Sequence, residues 1–105
     1  MSSEPKLLTL TLTLTLTLTL TLTWTLAAWV DYEYWQGQDR KTLKRINTLI
    51  KDCLREPFVG LGKPESLREN LSGLWSRRID DTHRLVYCVE GRSLVIIACR
   101  YHYQP

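Results

Sequence analysis

The sequence predicts a small α+β domain in which two helices cover one face of an antiparallel sheet. Two observations carry this expectation. Apolar residues recur at helical spacing in the segment ending at Arg55, and short β-rich runs separated by turn signals fill the segment after Pro64. A third observation bounds it: 105 residues suffice for one hydrophobic core and not for two, so one site or surface has to carry the function. A hydrophobic content of 44% with 24% charged residues excludes a disordered chain.

The chain opens on a low-complexity tract. From Thr9 to Leu22 it is an unbroken Thr-Leu repeat, which, if extended, puts every leucine on one face and every threonine on the other. Only its end, near Leu22 to Trp24, is expected to form a first strand, because the whole tract would outreach a small domain and leave a bare sheet edge. The expected division is therefore an extension over 1–21 and a folded domain over 22–105. A competing reading makes the tract a membrane or export segment, since no charge falls between Lys6 and Asp31. The alternating threonines dilute its hydrophobicity, and only Ala27-Ala28 resembles a small-residue cleavage site.

Leu26 to Trp35 reads as a short helix whose Trp29, Tyr32 and Trp35 share one face as core, with Gly37 ending it. Asp39 is placed to cap a second helix running to about Arg55. Leu43, Ile46, Leu49, Ile50 and Cys53 make its packed stripe, and Lys41, Lys44, Lys51 and Arg55 fall on the other side. Such a basic stripe is either an ordinary solvated face or a contact for RNA phosphates or an acidic partner. Pro57, Gly60, Gly62 and Pro64 mark a loop. Leu74 to Ile79, Arg84 to Val89 and Ser93 to Arg100 are then three strands of a meander, turned at Asp80-Asp81 and Glu90-Gly91.

The net charge of +3 favours an anionic partner without requiring one. Cys53, Cys88 and Cys99 are odd in number and in no metal-ligand spacing, which argues against a disulfide framework or a zinc site and for a reducing, cytoplasmic setting. No nucleotide-binding glycine loop, nucleophile elbow or metal signature is present.

The polar residues after the helices suit a different chemistry. Cleaving a phosphodiester by its neighbouring 2′-hydroxyl takes a base, cations for the charge on phosphorus and an acid for the departing 5′-oxygen, and requires no metal or cofactor. Glu65 suits the base, Arg84 with Arg77, Arg78 or Lys63 the phosphate clamp, and His102 the acid. Each has a plainer reading. Glu65 can be a surface carboxylate, His83 a solvent-facing or strand-end histidine, and His102 part of a frayed tail. Arg77 and Arg78 point to opposite faces of a strand, so at most one joins a given site.

The run Asn70-Leu71-Ser72-Gly73-Leu74-Trp75-Ser76-Arg77-Arg78-Ile79, then His83-Arg84-Leu85-Val86-Tyr87, then Ala98-Cys99-Arg100-Tyr101-His102-Tyr103, resembles the YoeB/Txe family of RelE-superfamily toxins. Asp31-Tyr32, Tyr34-Trp35-Gln36, Leu49-Ile50-Lys51-Asp52, Pro57-Phe58 and Gly62-Lys63-Pro64-Glu65 agree in order and spacing, so the resemblance spans about Trp24 to Tyr103. It implies a RelE-like, microbial-ribonuclease-like fold and a type II toxin that cuts mRNA in the ribosomal A site. It further implies Glu65 as general base, Arg84 as phosphate-stabilising arginine, His102 as general acid and Tyr103 as an active-site tyrosine, with Lys63 and Arg78 in support. The implied partners are mRNA on the ribosome, a YefM-type antitoxin, operator DNA through the antitoxin complex, and a second copy of the toxin, with no membrane. With mRNA on the ribosome as substrate, Lys44 and Lys51 become candidate contacts to ribosomal RNA. The chain departs from the family in the preceding Thr-Leu tract and in Gln104-Pro105 after Tyr103. Those departures leave open an impaired homologue that blocks translation, or co-represses its operon, without cutting.

Overall fold

The computed structural model describes residues 20–102. The strands are β1 (Thr21–Trp24), β2 (Glu65–Ser66), β3 (Trp75–Arg78), β4 (Arg84–Glu90) and β5 (Ser93–Ala98), and the helices are α1 (Leu26–Gln38) and α2 (Arg40–Arg55). A single 3₁₀ turn spans Glu69–Leu71. The last Thr-Leu pair of the tract, Thr21-Leu22, thus belongs to the sheet, while the membrane or export reading of the tract falls outside the described residues. Among the described residues no helix is long and apolar enough to cross a membrane.

Asp39 sets the helical boundary. Its backbone is extended, its N–H closes α1 on the Trp35 carbonyl, and its carboxylate accepts from the N–H groups of Lys41 and Thr42 to open α2. One residue therefore ends one helix and starts the next, and Gly37, expected to end α1, lies inside it. Thr25 caps the other end of α1 by accepting from the Ala28 N–H.

The strands lie in the order β1-β5-β4-β3-β2. The expected meander β3-β4-β5 is antiparallel, β1 adds to β5 in parallel, and the two-residue β2 pairs antiparallel with β3. The sheet is therefore mixed, and β2 has no periodicity of its own to reveal it. Leu85 and Tyr87 of β4 and Leu94 and Ile96 of β5 point to the helices, where Ile46, Leu49, Ile50 and Cys53 of α2 and Ala28 and Trp35 of α1 meet them. Each leucine or isoleucine so buried contributes about 1.5–3 kcal/mol. Of the expected aromatic stripe, Trp35 is in this core and Tyr32 packs on it, but Trp29 is 41% exposed. It stands at the surface beside Trp24 and Tyr32, with ring centroids 5.5 and 5.7 Å away.

Candidate active site

Strand register assembles the site on the sheet face opposite the helices. Glu65 pairs with Ser76 across β2-β3, and Ser76 with Val86 across β3-β4, so these three form one row. Two residues along, Arg78 pairs with Arg84 to make the next row on the same face. These residues, with Lys63, Leu67, Leu71 and His102, line a cleft of about 230 Å³. The apolar liners, and Ser76 between them, carry no chemical signature, though period two places Ser76 beside Arg78 and Val86 beside Arg84.

The cations are pre-set. Nη1 of Arg84 donates to the carbonyls of Asp80 (2.7 Å) and His83 (3.1 Å), which anchors one edge of its fork and leaves the remaining N–H groups for an anion. The Arg78 backbone is held on both sides, donating to the Gly62 carbonyl at 2.7 Å and accepting from Arg45 at 3.1 Å. Gly62 is required there. Its φ is +78°, and a Cβ would stand 2.9 Å from the Leu49 side chain and 3.1 Å from the Arg78 carbonyl. Lys63, next in the chain, takes φ +52°, an uncommon conformation for a residue with a side chain, as it enters the cleft.

Arg77 takes no place in this cleft. Its side chain points to the opposite face, wholly buried, so the expected RNA contact is corrected to a structural role. All five of its N–H groups are occupied. Nε donates to the Tyr87 hydroxyl, Nη1 to Asp52 (2.6 Å) and the Leu61 carbonyl, and Nη2 to the carbonyls of Glu56 and Val59. Three of these acceptors belong to the loop that leads to Lys63 and Glu65, so a buried cation shapes one wall of the site from behind.

The other wall is the C-terminal segment, and α1 holds it. Asp31 accepts from the Cys99 N–H at 3.0 Å, and the Trp35 indole donates to the Cys99 carbonyl at 2.8 Å. The Arg100 guanidinium lies 3.5 Å from the Tyr34 ring centroid and 4.6 Å from that of Tyr101. The chain then turns at Tyr101 and presents His102, itself exposed, to the cleft. Burial, with the Asp31 charge adding, pushes the Cys99 thiol up to about 12, so this cysteine is packing and not a nucleophile.

Glu65, Arg84, His102, Lys63 and Arg78 are therefore brought together. Lys44 and Lys51 are exposed on α2 and line no part of the cleft. Tyr103 lies outside the described residues. Sequence reasoning read Tyr34 and Trp35 as helix or core and missed the clamp they form with Asp31, because its partners lie more than sixty residues away.

Two helices behind a small mixed sheet, with an arginine-bearing cleft in front, is the build of a toxin of the RelE superfamily. Residues 24–103 match the family of YoeB-like toxins of bacterial type II toxin-antitoxin systems. The chain is 60% identical over 80 residues to Toxin YoeB of Escherichia coli (strain K12), covering 76% of this chain and 95% of the relative. It is similar to the structure of the YoeB dimer from Staphylococcus aureus (TM-score 0.75, 45% identity, 81% of this chain and 99% of that one). It is likewise similar to a YoeB-YefM complex from Staphylococcus aureus (TM-score 0.73, 45% identity, 80% and 98% covered). The chain belongs to the YoeB family of type II toxins.

Proposed function

We propose that the chain is a ribosome-dependent endoribonuclease that cuts mRNA in the ribosomal A site and so stops translation. The observation that carries this is the meeting of one carboxylate, one imidazole and three cations, from β2, the C-terminal segment, β3, β4 and the loop before β2, around one cleft. Glu65 takes the proton of the 2′-hydroxyl, whose oxygen attacks the adjacent phosphorus. Arg84, with Arg78 and Lys63, balances the charge that builds on the phosphoryl oxygens. His102 gives a proton to the departing 5′-oxygen, leaving a 2′,3′-cyclic phosphate and a 5′-hydroxyl. The proton account closes without a metal or cofactor. Tyr103, next to His102 in sequence, is assigned to the same site by family resemblance.

A wide, solvent-open cleft does not by itself hold RNA in line for attack, which is where the ribosome enters. Fixing the phosphate against an aligned 2′-oxygen supplies a large part of the barrier reduction. Incubating the full chain with ribosomes on a defined mRNA is expected to yield new 5′-hydroxyl ends at the A-site codon and 2′,3′-cyclic phosphates upstream, with naked mRNA cut far more slowly. Ribosome binding without new ends would instead establish a blocking protein.

The exposed Lys44 and Lys51 are proposed contacts to ribosomal RNA. Reversing both to glutamate is expected to weaken ribosome binding and flatten its salt dependence, read from affinities across a potassium series. An unchanged slope makes them an ordinary solvated face. A YefM-type antitoxin is the proposed partner, supported by the similarity to the YoeB-YefM complex, and the pair would bind operator DNA. A homodimer is proposed from the similarity to the YoeB dimer.

A further inference from the structure

His83 has no part in the chemistry above, yet the segment that delivers His102 rests on it. Its ring stands edge-on to Trp35, centroids 4.8 Å apart at 81°, and tilted against Tyr101 at 5.4 Å. Its Nδ1 accepts a hydrogen bond of 2.7 Å from the Tyr101 N–H, which requires that nitrogen to carry no proton. The Tyr101 carbonyl in turn accepts from the Arg84 N–H at 3.1 Å. Two consecutive residues entering β4 thus hold both backbone groups of Tyr101.

Tyr101 needs holding. Its φ of +61° is left-handed, a conformation that is unfavourable for a residue with a Cβ and persists only where the surroundings enforce it. The clamp on Cys99 fixes the chain before this turn, and His102 follows immediately after it. We propose that His83 is a positioning residue whose Nδ1 acceptor keeps Tyr101 in the left-handed turn that brings His102 to the scissile phosphate. The effect on rate rests on the nuclease reading, whereas the effect on the turn does not.

Two substitutions separate the acceptor from the ring. His83→Phe keeps an aromatic ring against Trp35 and Tyr101 and removes the acceptor. His83→Asn removes the ring and keeps an oxygen close to where Nδ1 stood. In the full chain, amide exchange at Tyr101 is followed by NMR and mRNA cleavage is followed on ribosomes. The phenylalanine variant is expected to lose protection at the Tyr101 amide and to fall about 10²-fold in kcat with KM unchanged, as an ångström-scale misplacement of an acid does. The asparagine variant is expected to recover both. A protected Tyr101 amide in the phenylalanine variant, an asparagine variant no better than it, or an amide response without a rate response in a cleaving enzyme would each overturn the proposal. A wild-type chain that cuts nothing would refute the nuclease reading and with it the rate effect, and the amide arm would still decide whether His83 holds the turn.

Discussion

Arg77→Met is expected to destabilise the fold by about 3–5 kcal/mol, because it removes the donors from three loop carbonyls and a tyrosine hydroxyl and leaves Asp52 only the Leu61 N–H and the exposed Arg55 as partners. In a domain of this size that lowers Tm by more than about 12 °C. Arg77→Lys keeps the charge with three donors in place of five and is expected to fall between the two. If Arg77 met RNA instead, its loss would weaken binding and leave the melting curve in place. The same network makes stability depend on acid. The Leu61 N–H first, and then the Arg77 guanidinium, hold the Asp52 carboxyl below the ordinary 3.8. A carboxylate with a lowered folded-state pKa stabilises fully above its unfolded value and loses that contribution as pH falls through the folded one. Melting followed downward from pH 6 is therefore expected to show the gap between wild type and Asp52→Asn closing below about pH 4.

The stability network and the site meet in one dipeptide. Arg77 and Arg78 are chemically alike and adjacent, and the pleat of β3 sends one behind the sheet and the other into the cleft. That alternation was legible in the sequence, but which arginine went which way was not, since it depends on Asp52 meeting β3 from α2. The helices were legible because Asp39 and the Leu43-to-Cys53 stripe are local signals. The strand Glu65–Ser66 was not, because two residues pair only where β3 offers an edge. Nor was the parallel pairing of Thr21–Trp24 with β5, which joins residues some seventy positions apart. For the site, residue chemistry pointed to Glu65, Arg84 and His102 individually. Only the register Glu65–Ser76–Val86, and the hold of Asp31 and Trp35 on Cys99, explain why they share a cleft.

On the mechanism proposed above, Glu65→Gln and His102→Ala are each expected to lower the rate of A-site cleavage by 10²- to 10⁴-fold, as removal of a general base or acid does. Both side chains are exposed, so neither change should move the melting temperature by more than the scatter of a surface substitution. The loss should appear in kcat with ribosome affinity retained, because proton transfer is made in the transition state and contributes little to binding the ground state. The double variant makes the sharper test. If one carboxylate and one imidazole serve the same displacement, removing either already forces it through solvent, and the pair should cost clearly less than the product of the two single losses. Losses that multiply in full would mean that the carboxylate and the imidazole lower the barrier independently of each other. Retention of cyclic phosphate ends by the slow residual reaction would show that the 2′-hydroxyl is still the nucleophile, and that these two residues set the rate of attack without choosing its route.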